Sequence, residues 1–291
     1  MGAYKDFQKQ FKALACENKN LISTTLSNIF SMRRIGSKTH GNLAEIGITE
    51  FVMQFMDNFE CVRVADKTRT NKEEDIKITN KSTKEEFGVS LKAYKGGEKE
   101  GYLQLSTNKG ATMIEHLDGL NNLKRLPITD KEVIKQIFES EAFAYFESVN
   151  VLALVYDENK KKCNVLVFDY AKARQDISKI ILIPEGQAYK DGKIVSEKRR
   201  KHKIYLFLDS NDKYICEVRY GGKTENGLQR GFWTHIHNAD SCYFDSLTNS
   251  WINYEHNAGL EELFKLAFTA SEKGHNEANI ALKQSIQELK K

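Results

Sequence analysis

The chain has 291 residues, of which 40% are hydrophobic and 29% are charged, so it can bury a sizeable core and is not of the disordered class. Its net charge is only +4, from 44 basic and 40 acidic side chains, and this balance alone does not identify a protein that binds polyanions. No run reaches the roughly 20 apolar residues that a transmembrane helix needs, and the polar N-terminal segment is unlike a signal peptide. We expect a cytoplasmic protein with a single domain over residues 1–291, built on one main core with elaborations.

Helical and strand-like segments alternate along the chain. Helices are predicted by apolar residues at helical spacing over 4–30, 41–56 and 131–147, and helical sequence returns from Leu260. Short alternating runs predict strands near 75–79, 87–94 and 102–107. Five more strand-like runs follow, "VNVLALVY", "CNVLVFDY", "SKIILIP", "KIYLFLD" and "YICEVRY". The order favours a mixed α/β fold, in which helices flank a central mixed sheet that carries additional strands.

One predicted hairpin carries residues suited to phosphate chemistry. The segment "EEDIKITNKSTKEEFGVSLKAY" (73–94) has Asp75 at the start of one strand and Lys92 near the end of the next. Because side chains alternate along a strand, Ile76 and Leu91 would face the core while Asp75, Ser90 and Lys92 take the other face. Hydrolysis of a phosphodiester needs a divalent cation, an activated water and a positive group, and an aspartate and a lysine can serve these needs.

A second carboxylate is expected upstream of this hairpin. On the predicted 41–56 helix, Glu45 lies close to the inward-facing apolar stripe that contains Ile48 and Val52. A carboxylate in that position is costly unless it is paired or binds a metal. Glu45 is therefore a candidate ligand beside Asp75.

The combination of a helix glutamate, an aspartate that opens a strand and a lysine at the end of the next strand resembles the PD-(D/E)XK nuclease superfamily, in particular its type II restriction endonucleases. The resemblance covers residues 41–107 and implies that Asp75 and Glu45 bind Mg²⁺ and that Lys92 is the catalytic lysine. Gln104 is similar to a glutamine that some relatives carry on the following strand. The sequence departs from the pattern at Ser90, where the motif has Asp or Glu, and in lacking a proline before Asp75. Some restriction enzymes in the superfamily have serine at this position and take the missing carboxylate from elsewhere, which makes Glu45 more necessary.

Two further segments suit contacts with DNA, and together they span residues 196–238. "RYGGKTENGLQRGFWTHIHN" contains Asn226, Gln229, Arg230 and His235, and the bidentate pairings of Arg with guanine and of Asn or Gln with adenine suit the major groove. "SEKRRKHK" concentrates positive charge that suits phosphates, in Lys198, Arg199, Arg200 and Lys201. The resemblance implies double-stranded DNA as the partner and a homodimer, since a palindromic site has two-fold symmetry and two strands to cut. Both segments are also compatible with solvated loops and strand ends.

Three alternatives stay open on the sequence alone. The protein could bind nucleic acid without catalysis, with Asp75 and Lys92 forming a surface salt bridge. His235 and His237 could supply two ligands of a histidine-metal enzyme. A second hairpin, "LDSNDKYICEVRY", offers Asp209 and Glu217 but has Arg219 where a nuclease lysine would stand, and arginine does not release a proton near neutral pH.

Overall fold

The computed structural model describes residues 2–35, 40–64, 74–95, 102–106, 110–123, 125–144, 150–190, 192–198, 202–221, 229–235 and 243–268, with single positions between 273 and 284. Seven helices are present in this part of the chain: α1 Ala3–Glu17, α2 Lys19–Ile35, α3 His40–Phe55, α4 Gly110–Asn122, α5 Lys131–Glu139, α6 Tyr170–Asp176 and α7 Ala258–Phe268. No helix within the described ranges is long and apolar enough to cross a membrane. The mixed α/β class predicted from the sequence is confirmed.

The main sheet contains seven strands and is mixed. Its strands run in the order β1-β2-β3-β5-β6-β13, with β14 also paired to β6. Their bounds are β1 Phe59–Arg63, β2 Ile76–Asn80, β3 Glu86–Lys95, β5 Asn150–Asp157, β6 Lys162–Phe168, β13 Phe244–Ser246 and β14 Ile252–Asn253. β3 and β5 are parallel, whereas the other pairs are antiparallel. The parallel pair requires a long crossover, and this crossover contains β4 (Tyr102–Ser106), α4 and α5.

A second, five-stranded antiparallel sheet was not predicted from the sequence. Its order is β4-β12-β11-β10-β7. The remaining strands are β7 Lys179–Ile183, β10 Ile204–Leu208, β11 Tyr214–Gly221 and β12 Gln229–His235, and a separate hairpin is formed by β8 Gln187–Lys190 and β9 Lys193–Ser196. The first strand of this sheet therefore pairs with a strand from a distant part of the chain. The sheet covers one face of the main sheet.

Two cores lie on opposite faces of the main sheet. On one face, α1, α2 and α3 bury Ile76, Ile78, Val89 and Leu91 together with alternate residues of β5. On the other face, the second sheet packs with α4 and α5 against the intervening β5 residues such as Ala153. β5 is buried on both faces, which explains its almost uninterrupted apolar sequence.

The helix predicted over 131–147 is shorter than expected. Asp130 caps its start by accepting hydrogen bonds from the backbone N–H groups of Glu132 and Val133. The helix ends at Glu139 because Ser140 adopts an extended conformation, and a single 3₁₀ turn follows over Glu141–Phe143. The apolar pattern continues past this break, so periodicity alone does not reveal it.

Candidate active site

The predicted hairpin of β2 and β3 forms, and its register fixes which residues share a face. Ile76 pairs with Val89, and the backbone N–H of Asp75 donates to the carbonyl of Val89 over 3.0 Å. Asp75 consequently lies opposite Ser90, on the face that points away from α1–α3. Lys92 lies on the same face, one side-chain step further along β3. The predicted division of the hairpin into a core face and a chemical face is therefore the observed one.

The carboxylate of Asp75 is held by β3. Its Oδ2 accepts the backbone N–H of Leu91 at 2.7 Å and the hydroxyl of Ser90 at 3.1 Å. Asp75, Ser90 and Lys92 share a face as predicted, and the register puts Ser90 opposite Asp75 and Lys92 diagonal to it. Ser90 occupies the position where the motif has a second acid. It is fully buried, and its hydroxyl holds the Asp75 carboxylate in place.

Lys92 lies at the boundary between the core and the open part of the sheet. Its neighbour on β5 is Ala153, which belongs to the core beneath the second sheet. Toward β2 the same face is exposed and carries an ion pair between Lys77 and Glu86. Lys92 is half-buried, and no carboxylate of the described residues forms an ion pair with it. The surface salt bridge that the binding-only alternative assumed between Asp75 and Lys92 is absent from the described residues.

A second carboxylate that the sequence reasoning missed lies on the same face. A methyl group added at Gly88 would lie 2.0 Å from the Cδ atom of Glu74, so the Glu74 side chain occupies the space that Gly88 leaves open. Gly88 shares the face of Ser90 and Lys92 by strand alternation. Glu74 and Asp75 thus lie on one face although they are consecutive, because Glu74 precedes the strand. The acidic run before Asp75 and the glycine in β3 were the available signals.

Gln104 links the hairpin to the second sheet. Its backbone N–H donates to the hydroxyl of Tyr94 at 2.9 Å, and Tyr94 follows Lys92 on the same face of β3. Burial raises the pKa of Tyr94 to about 12, so its hydroxyl stays protonated at neutral pH. The buried side-chain nitrogens of Gln104 and of its cross-strand neighbour Trp233 have no hydrogen-bond partner among the described residues. The backbone of Gln104, rather than its amide group, makes the observed contact with the hairpin.

The remaining predicted site residues are only partly described. Glu45 lies in α3, which contacts β3, but its side chain is outside the described part of the chain. Gln229, Arg230 and His235 lie in β12, again without described side chains, and Lys198 is exposed after β9. Four predicted DNA contacts and one predicted histidine ligand lie outside the described residues: Asn226, Arg199, Arg200, Lys201 and His237. Their roles stay predictions.

The second candidate hairpin, between β10 and β11, uses its acids for structure. Asp209 accepts the backbone N–H groups of Asn211 and Lys213, both at 2.8 Å, and so shapes the turn. Glu217 lies opposite Leu206, is buried, and contacts the Nε of Arg219 at 3.0 Å. Because Asp209 lies beyond the end of β10, the two carboxylates are not brought together across the hairpin.

Mg²⁺ suits the carboxylates of the first hairpin. This ion is normally held by one or two carboxylates, with waters and substrate phosphates as its other ligands. Asp75 with Glu74 supplies such a set, and Glu45 stays a predicted ligand although α3 packs on the opposite face of the hairpin from Asp75. Within the described ranges no group of three or more His, Cys, Asp or Glu side chains could form an all-protein metal cage.

Comparison with known proteins finds no family model, no curated protein and no solved structure that matches this chain.

Proposed function

We propose that the protein is a magnesium-dependent, site-specific endonuclease of double-stranded DNA, of the type II restriction class. The observation that carries this proposal is the arrangement on β2 and β3. A carboxylate is fixed by two hydrogen bonds from β3, and a half-buried lysine without an ion pair among the described residues follows on the same face. The order of a helix, a strand opened by aspartate and a neighbouring strand carrying lysine is also the order that the resemblance implies.

Each residue has a distinct part in the proposed mechanism. Asp75, with Glu74 or Glu45, would hold Mg²⁺, which neutralises the charge that builds on the phosphate during hydrolysis. Lys92 would orient the attacking water and stabilise the negative charge on the phosphorane-like transition state. Ser90 would keep the Asp75 carboxylate in one orientation. Preorganisation of this kind reduces the reorganisation needed during the reaction.

The ion pattern favours catalysis over binding alone. In a purely structural hairpin, a lysine next to a carboxylate would be expected to pair with it. Here Asp75 is engaged by backbone and hydroxyl donors, whereas Lys92 forms no ion pair among the described residues and would offer its charge to a phosphate. A lysine ammonium of this kind suits a phosphate. Recognition of bases would rest with Gln229 and Arg230 on β12, and cleavage of both strands of a symmetric site would require a second copy of the chain.

The proposal is tested by incubating the purified protein with several plasmids in Mg²⁺, with EDTA as control. Discrete and reproducible fragments in Mg²⁺ alone are expected. DNA that is retarded on a gel but stays uncut in Mg²⁺ and in Mn²⁺ would favour the binding-only alternative and refute the nuclease. Cleavage of structured RNA in place of DNA would refute the proposed substrate.

A further inference from the structure

A basic groove lies beside the second sheet, and its described lining includes none of the individual residues that the sequence suggested for DNA contacts. It is bounded by α5, α6, the turn between β10 and β11, and the first turns of α1. Its volume is about 1050 Å³, and its floor includes Phe138 and Tyr243 of the core that carries the second sheet. Its floor therefore borders the core on the Lys92 face of the main sheet, whereas Lys5 comes from α1, which packs on the other face.

Cations dominate the walls of the groove. Lys5, Lys131, Lys135 and Lys172 line it, all four are exposed, and none of them forms an ion pair within the described part of the chain. Arg174 adds a guanidinium that is stacked over the ring of Phe138, 5.6 Å from its centroid. Stacking limits the conformational freedom of this side chain, so that less entropy is lost when it binds a phosphate.

Three carboxylates also line the groove, and two of them accept hydrogen bonds from backbone N–H groups. Asp169 caps α6 by accepting the backbone N–H of Lys172 at 2.9 Å, and Asp209 accepts two N–H groups of its own turn. Asp176 is the third. The five cations outnumber these acids, and neutral side chains such as Gln175, Ser178 and Asn211 complete the lining. Lysine, arginine, serine, asparagine and glutamine are the residue types that most often contact nucleic-acid phosphates.

We propose that this groove binds the phosphodiester backbone of duplex DNA. The inference that the groove holds the DNA substrate rests on the proposed nuclease function. Binding of phosphate by the groove can nevertheless be tested without measuring cleavage. The composition fits contacts that position DNA without reading its sequence, because the groove offers charges and hydroxyl or amide donors at several depths. An acidic protein fits less well, because it does not present the regularly repeated phosphate oxygens that could accept hydrogen bonds from Gln175, Ser178 and Asn211.

The sheet register gives the distance between the groove and the candidate active site. Ala153 pairs with both Lys92 on β3 and Leu166 on β6, and Asp169 follows the end of β6. Two strand spacings and three residues along β6 then separate Lys92 from Asp169 by about 14 Å. This is on the order of four base-pair steps of B-DNA. Ala153 and Leu166, which lie between them, are buried beneath the second sheet, so a duplex that contacted both sites would have to pass around that sheet.

The test measures binding of a fluorescein-labelled 20-base-pair duplex by fluorescence anisotropy in EDTA, at several salt concentrations. The variant Lys131→Ala/Lys172→Ala removes two groove cations, and Lys81→Ala/Lys283→Ala is a control that removes the same charge from exposed sites outside the groove. The groove variant is expected to bind about tenfold or more weakly near 0.1 M salt, with the slope of log K against log salt reduced by about 2. The control should stay within about twofold of wild type, and both should keep the wild-type melting temperature.

Equal affinities of the two variants for the duplex would overturn the groove assignment, as would wild-type protein that binds no DNA. Tighter binding of poly-glutamate than of the duplex through the same lysines would also overturn it, in favour of an acidic protein partner. Failure of the nuclease proposal gives a different result: wild-type protein would bind the duplex through the groove and leave it uncut in Mg²⁺. Cleavage that is unaffected by the groove variant would refute the groove and leave the active site standing.

Discussion

The variant Asp75→Asn separates the chemical role of Asp75 from its structural role. The Asp75 carboxylate accepts two hydrogen bonds from β3, one of them from the N–H of the buried Leu91. Asparagine keeps a side-chain oxygen that can accept both bonds but removes the negative charge that a metal ligand needs. We expect cleavage to fall by more than about 10³-fold, which corresponds to about 4 kcal/mol of transition-state stabilisation.

The same two hydrogen bonds show why alanine is the poorer substitution. Asp75→Ala would leave both donors without their acceptor, and each lost bond to a charged group costs about 1.5–3 kcal/mol. We expect a fall in melting temperature on the order of 5–10 °C. Asp75→Asn exchanges charge-assisted for neutral hydrogen bonds and should cost only about 1 kcal/mol. Loss of activity in the alanine variant would therefore mix misfolding with lost chemistry.

The assay is single-turnover cleavage of a plasmid in Mg²⁺, with melting temperature measured on the same samples. Ser90→Ala is the matched control, since it removes one of the two hydrogen bonds to Asp75 and leaves the carboxylate in place. It should cost about 1.5–3 kcal/mol of stability and reduce cleavage far less than Asp75→Asn does, because the N–H of Leu91 still holds the carboxylate. Cleavage by Asp75→Asn within about tenfold of wild type would remove Asp75 from the metal site.

Four other predictions follow from the site and its surroundings. Lys92→Gln should abolish cleavage with little change in melting temperature, because the ammonium has no ion pair among the described residues; a cold-sensitive or unfolded variant would point to a structural lysine. Glu74 and Glu45 are alternative candidates for the second acid, so the glutamine variant of the residue that binds metal should lose cleavage as Asp75→Asn does, and the other variant should cut normally. Arg230→Ala should cost about 1–3 kcal/mol at the cognate site and little on unrelated DNA, measured by affinity for cognate and scrambled duplexes. Arg199→Ala should weaken binding to both duplexes and flatten the salt dependence; selective loss at the cognate duplex would instead make it a base contact.

Local patterns predicted the elements of this fold well, because they depend on neighbours in the sequence. Alternation of apolar residues in β2 and β3 gave the strands and the face of Asp75 and Lys92 correctly. Alternation fixes a face but not a register, and for this reason it could not distinguish Ser90 from Lys92 as the residue opposite Asp75. The long helix predicted over 131–147 failed at Ser140, whose extended backbone leaves no mark in the apolar spacing.

Features that depend on distant contacts were beyond the sequence. The second sheet begins with β4 and pairs it with β12, so its existence depends on two segments that are far apart along the chain. The basic groove gathers Lys5, Lys131 and Lys172 from three different helices, none of which has a conspicuous run of charge at these positions. Glu74 was missed for a local reason. Strand alternation predicts that it lies on the face opposite to Asp75, but Glu74 precedes β2 and its side chain lies over Gly88, on the same face as Asp75.

Plasmid cleavage by wild type and Lys92→Gln, purified in parallel and assayed in Mg²⁺, tests most directly whether the β2–β3 hairpin cleaves DNA with a divalent metal. We expect discrete fragments from the wild type, a loss of more than about 10³-fold in rate for the variant, and equal affinity of both for the same DNA in EDTA. Cleavage by Lys92→Gln at near the wild-type rate would show that another part of the chain carries the chemistry.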